Sequence, residues 1–207
     1  MKYINTLIGA VLAGFVIGIG GMIYLSVNNK IIGASLFSIG LYVVVTMKFN
    51  LFTGRICYIL EGNKVENLIK AAIIWSGNFI GSLLLALIIQ ATRISQGIED
   101  KAVAICNVKY GDTYLSLFWL GVLCNIFIYI AVDEFKNNTH EIGKYLAIFL
   151  GVMGFILSGT EHCVADMFYI HMGKAYGGDM ILRLFIITLG NIVGGSLSNC
   201  VIKYYNK

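Results

Sequence analysis

Glu161 and His162 stand side by side in a chain that is otherwise strongly apolar, and their side chains can hydrogen-bond, pair with charge or exchange a proton. The stretch FILSGTEHCVADMFYI that holds them is apolar on both flanks, with Asp166 four residues beyond His162. Ionisable groups at membrane depth are costly and tend to face a cavity or a pathway. An imidazole there can donate, accept or transfer a proton near neutral pH, which suits passage of a weak base or its conjugate acid. The plainer reading is a buried histidine that holds a helix break together. Glu161 suits a supporting role, accepting hydrogen bonds from backbone N–H groups freed at such a break or orienting His162. A metal site built from Glu161, His162, Asp166 and His171 is disfavoured, because no second histidine stands at the spacing of a zinc protease motif. No cofactor is expected.

The elements that must position this pair are membrane spans. The chain has 207 residues, 58% of them hydrophobic and 13% charged, with a mean hydropathy of +0.81. Soluble domains carry about a quarter charged residues, so bilayer solvent explains the composition better than a buried core does. The net charge of +4 is spread over scattered Lys and Arg residues, which argues against nucleic acid as a partner. Cys57, Cys106, Cys124, Cys163 and Cys200 stand singly, without a CxxC pair, and read as small packing residues. The start, Met1-Lys2-Tyr3 before a long apolar run, exceeds the apolar length of a secretory signal and reads as a retained first span.

Apolar segments run over about 4–27, 31–47, 68–89, 114–132, 145–157 and 181–202. The second and fifth fall short of the roughly 20 residues needed to cross. Each runs into polar residues (Lys48 to Arg55, Ser158 to His162) and then resumes. Short, interrupted segments at corresponding places in two halves point to a transport site, because irregular backbone at membrane depth must be buried or line a cavity. WSGNFIGS matches TLGNIVGGS, making Asn78 and Asn191 equivalent, and GAVLAG pairs more loosely with GVLCNI. Three spans per copy is an odd number, so the two copies, about 1–91 and 113–205 of a single domain 1–207, are expected to be inverted.

GFVIG, GNFIG and GNIVG each place glycines four apart for close helix packing. With no proline in the chain, the paired Asn-Pro-Ala motifs of aquaporins are absent. Placing the amino terminus inside puts Lys2, Arg55, Lys64, Lys70, Lys136, Lys144, Lys203 and Lys207 on the cytoplasmic side. Lys30, Arg93, Lys101, Lys109, Lys174 and Arg183 then fall outside, with Lys48 near membrane depth. This bias predicts both termini in the cytoplasm and a multi-pass protein of the inner membrane.

FSIGLYVVVTMKFNLFTGR followed by FILSGTEHCVADMFYI, together with the Gly-Asn-rich third and sixth spans, resembles the formate/nitrite transporter family over nearly the whole chain. The resemblance implies an all-α, aquaporin-like protomer of six transmembrane helices, the second and fifth broken, assembled as a homopentamer with one anion pathway per protomer. Carried over by position, the central histidine is His162 with Glu161 beside it, the loop threonine is Thr53, and the vestibule lysine is Lys109. The pore-facing asparagines are Asn125 and Asn191. The apolar constrictions fall at Leu41 and Phe155 on one side of His162 and near Leu51 and Phe52 on the other.

Thr160 replaces an aromatic before the Glu-His pair, Asp166 an asparagine, and Lys48 a small residue; little precedes the first span. These departures mark possible selectivity positions and look more like the clostridial hydrosulfide branch, so hydrosulfide is the first expected substrate, followed by formate- and nitrite-like anions. Lys109 would draw anions in unless it is an ordinary solvated lysine. Between two apolar rings an anion must be hydrogen-bonded or neutralised, with Thr53 and His162 as donors and His162 as a possible proton source. The expected activity is a passive or proton-coupled anion channel, not an enzyme. The alternatives are an intramembrane enzyme using Glu161, His162 and Asp166, and a structural membrane subunit.

Overall fold

A computed structural model describes residues 2–206. Met1, Lys207 and the Lys2 side chain, two of them counted in the charge bias, lie outside the described part. The described residues are helical: α1 Lys2–Ser26, α2 Lys30–Thr46, α3 Phe52–Ile56, α4 Lys64–Gln90, α5 Ser95–Gly111, α6 Tyr114–Asn137, α7 Glu141–Leu157, α8 Cys163–Met172 and α9 Met180–Tyr205. Side-chain caps start several of them. Asn29 Oδ1 accepts from Ile31 and Ile32 N–H, Asn63 from Glu66 N–H and the Thr113 hydroxyl from Ser116 N–H, each satisfying an otherwise orphaned donor. α1, α4, α6 and α9 are each long and apolar enough to cross a bilayer. Their outer faces leave Ile4, Leu84, Leu123, Phe185 and Leu197 exposed, the arrangement a lipid solvent favours.

The second and fifth spans are interrupted where the sequence predicts, and both stop in the same way. α2 ends with Lys48 at φ 58°, and Phe49 N–H reaches back to Val44 O (2.9 Å). α7 ends with Gly159 at φ 69°, and Thr160 N–H reaches back to Phe155 O (3.2 Å). A left-handed residue closing a helix with such a backward bond stops it without proline. The chain then leans on a neighbouring span: Asn50 N–H donates to Gly9 O of α1 (3.1 Å), and Glu161 N–H to Leu120 O of α6 (3.2 Å). Only then do the short helices α3 and α8 begin.

Asn78 and Asn191 fix these re-entries with matching bonds. Asn78 Oδ1 accepts from Phe52 N–H (2.8 Å), while its Nδ2 donates to Ala10 O (2.7 Å) and Asn50 O (3.0 Å). Asn191 Oδ1 accepts from Cys163 N–H (2.9 Å), and its Nδ2 donates to Gly121 O (2.8 Å) and Glu161 O (2.9 Å). These bonds correct one expected register: Ala10, not Gly9, is the counterpart of Gly121. α1 packs along α4 and α6 along α9 at backbone distance. A Cβ at Gly81 would strike Val11 O, and one at Gly194 would strike Val122 O, so both positions need glycine for close approach.

Two features escape the sequence reading. α5 is an additional helix of mixed polarity that docks on α8. α8 is buried along its entire length among α1, α4, α5 and α9, so it is a core element with no lipid face. Four cysteines are buried as expected, but Cys200 is exposed.

Candidate functional site

His162 is the N-cap of α8, and its Nδ1 accepts from Ala165 N–H (3.1 Å). Since Nδ1 accepts, the ring proton of the neutral imidazole sits on Nε2, which then donates to Thr53 Oγ1 at 2.9 Å. The Thr53 hydroxyl keeps its own proton, for which no acceptor is found among the described residues. A second proton on Nδ1 would face the Ala165 N–H, donor against donor. His162 therefore orients a hydroxyl donor in this state, its basic nitrogen taken up in capping a helix. Thr53 comes from the first turn of α3, so the site joins both interruptions.

Apolar groups close around the pair. The Phe155 ring stacks on His162 with centroids 5.3 Å apart, and the edge of Phe37 meets Phe155 at 5.8 Å. Leu41, Leu51 and Phe52 line a cavity of about 660 Å³. Phe37 is the residue sequence reasoning missed. It lies one helical turn before Leu41 on the same face of α2, and that spacing is the signal that could have found it.

Lys109 departs further from expectation. It is 3% exposed, and its Nζ contacts Glu161 Oε2 and, at 3.0 Å, Asp166 Oδ1. It is neither a solvated lysine nor a free vestibule cation, because two carboxylates answer one ammonium. Asp166 Oδ2 is buried without a hydrogen-bond partner. Glu161 thus binds Lys109 and not the freed backbone N–H groups. Arg183 holds the end of α5 in place, its Nη1 donating to Lys109 O (2.8 Å) and Asp112 O (2.6 Å). Asp179 anchors the Arg183 guanidinium in turn. The hydrogen bond from Arg183, with another from the Tyr114 hydroxyl, holds the Asp179 carboxyl below its usual range.

The asparagines divide. Asn191 spends its side chain on the three bonds above and braces the second break. Asn125 Nδ2 donates to Thr53 O (3.1 Å) and Asn191 O (2.7 Å), leaving its Oδ1 buried and unpartnered. The Thr160 hydroxyl is used on Phe155 O (2.9 Å), and Lys48 lines the cavity beyond Leu51.

The sequence profile described as "Formate/nitrite transporter" matches residues 1–205. The chain belongs to the formate/nitrite transporter family. Among its relatives, the formate channel FocA of Haemophilus influenzae is 27% identical, the match covering 86% of this chain and 74% of that protein. The nitrite transporter NirC of Salmonella typhimurium is 28% identical over 91% of this chain and 78% of that one. A solved structure described as a pentameric formate channel with formate bound superposes with a TM-score of 0.84 at 28% identity, over 99% of this chain and 96% of that one. An ion channel of the same family, 23% identical, shares the fold with a TM-score of 0.86, over 99% and 90% of the two chains. The chain is thus a multi-pass, all-α membrane protein of a transporter family. The intramembrane-enzyme alternative is set aside, since these formate/nitrite transporter relatives are named as channels and transporters.

Proposed function

We propose that this chain is a channel for small monovalent anions, with hydrosulfide as its preferred substrate and formate and nitrite as slower ones. Each protomer of a homopentamer in the inner membrane carries one pathway past Thr53 and His162, with both termini cytoplasmic. The two halves, about 1–91 and 113–205, are inverted repeats whose broken helices meet at this pair. The relatives named as formate channel and nitrite transporter, and the pentameric formate channel among the similar structures, support the class of substrate and the assembly. The matched bonds of Asn78 and Asn191 support the repeats.

The observation that carries the reading is the Thr53–His162 pair, one donor set among the apolar side chains of Phe37, Phe155, Leu41, Leu51 and Phe52. An anion entering that space exchanges its water for a single strong donor, a costly trade for a full charge. The Lys109 cluster does not help it, its ammonium being held between Glu161 and Asp166. The species that passes most easily is the one that becomes neutral at least cost. Hydrogen sulfide loses its proton near neutral pH, whereas a carboxylic acid does so about three units lower, a difference of about 4 kcal/mol at pH 7. The anion moves down its gradient, alone or with a proton taken from water in the vestibule.

Uptake of hydrosulfide, formate and nitrite into proteoliposomes, with protein-free vesicles as the baseline for diffusion of the neutral acids, tests the proposal. We expect saturable uptake in the order hydrosulfide, then formate and nitrite. Formate outrunning hydrosulfide above baseline would refute the preference, and no uptake of any of them would leave the chain as a structural membrane subunit.

A further inference from the structure

We infer that Lys48 and Arg55 form an anion-capturing site in the vestibule where α1 begins, so that small monovalent anions enter from that face at lower concentration than from the opposite one. The inference rests on the anion-pathway reading above. The cavity of about 660 Å³ is walled at its closed end by Leu41, Leu51 and Phe52, all buried, and Lys48 and Arg55 are exposed along it.

The other charges of this vestibule are already engaged. Lys70 pairs with Glu66 at 2.9 Å, and Lys136 lies 4.8 Å over the Tyr58 ring. The carboxylate of Glu61 meets Lys203 at 2.6 Å. Lys48 and Arg55 have no ion pair among the described residues. A concave wall of low dielectric focuses the field of such unbalanced cations and raises the local anion concentration. At the opposite end Lys109 is answered by Glu161 and Asp166, so it offers no free ammonium there.

The backbone adds a second, independent observation. Lys48 sits at φ 58°, and its counterpart at the other helix break is Gly159 at φ 69°. Both residues close a helix with the same backward bond, so glycine fills this role fully. A lysine there adopts a conformation that glycine takes without steric cost. What the position gains from lysine is its ammonium group, placed at the rim of the constriction.

The test uses Lys48→Gly, Arg55→Gln and the double variant, with Lys48→Arg keeping the charge. Each is reconstituted in planar bilayers, with orientation read from an accessible amino-terminal tag. Formate and hydrosulfide conductance is measured against concentration from each face at low and high ionic strength. We expect the half-saturating concentration from the vestibule face to rise about fivefold per charge removed at low salt. The effect should shrink as salt rises, the opposite face should change little, and Lys48→Arg should resemble the wild type. Lys48→Gly suits its left-handed backbone, so it should be at least as stable as the wild type. An unchanged double variant, or an equal change from both faces, overturns the inference. A wild-type protein that passes no anion would instead sink the pathway reading beneath it.

Discussion

Thr53 and His162 divide the work of a donor site between an orienting ring and the hydroxyl it holds. Thr53→Val removes the hydroxyl and leaves the Nε2–H of His162 buried without an acceptor, a loss of about 1–3 kcal/mol. Anion flux should fall about tenfold or more while the protein still assembles, as read by uptake and by size-exclusion profile. His162→Asn is a sharper probe, since asparagine is a good N-cap and can accept from Ala165 N–H. It is too short to hold Thr53. Flux should drop, yet the dependence of uptake on pH should persist, because it follows protonation of the permeating anion. A flat pH profile in this variant, measured with hydrosulfide between pH 6 and pH 8, would return His162 to the role of proton donor. At Lys109 the expected outcome is structural: Lys109→Glu would crowd three carboxylates into one buried space. Breaking a buried pair costs about 3–5 kcal/mol, so the variant should fail to fold at any ionic strength. Solubility and thermal unfolding across a salt series check this.

At the scale of elements, the two helix breaks depend on one asparagine each. Asn191→Ala deletes bonds to Cys163 N–H, Gly121 O and Glu161 O, all buried, and each net hydrogen bond contributes about 1 kcal/mol. Asn78→Ala deletes the equivalent three on α3. Both should lower the midpoint of thermal unfolding in detergent by several degrees. Asn191→Ala should also slow transport more, because α8 carries His162 on its cap. The breaks were legible in the sequence because polar residues punctuate otherwise continuous apolar runs, and Asn78 and Asn191 because their glycine-flanked segments repeat. α5 was not legible, being mixed in polarity and lacking the period of a span. The pairing of Lys109 was equally hidden. It depends on α5 docking against α8, more than fifty positions along the chain, and nothing local to Lys109 marks its partners.

The whole molecule is a membrane protein with apolar outer faces and a polar interior confined to a few groups. Mass measurement of the detergent-solubilised complex should give five copies, and a stable monomer or tetramer would contradict the proposed assembly. The vestibule charges belong to this scale as well, since what distinguishes one mouth from the other is the balance between Lys48 and Arg55 at one end and the neutralised Lys109 at the other.

The burial of α8 bears on how the chain is made. A ten-residue helix with Asp166 and His171 along it is too short to be recognised as a span by the insertion machinery. Its neighbours α1, α4, α5 and α9 provide the walls it needs. α8 therefore takes its place by packing against these walls, which brings His162 into register with Thr53. The donor site is thus completed by packing between helices and not by insertion of α8 on its own.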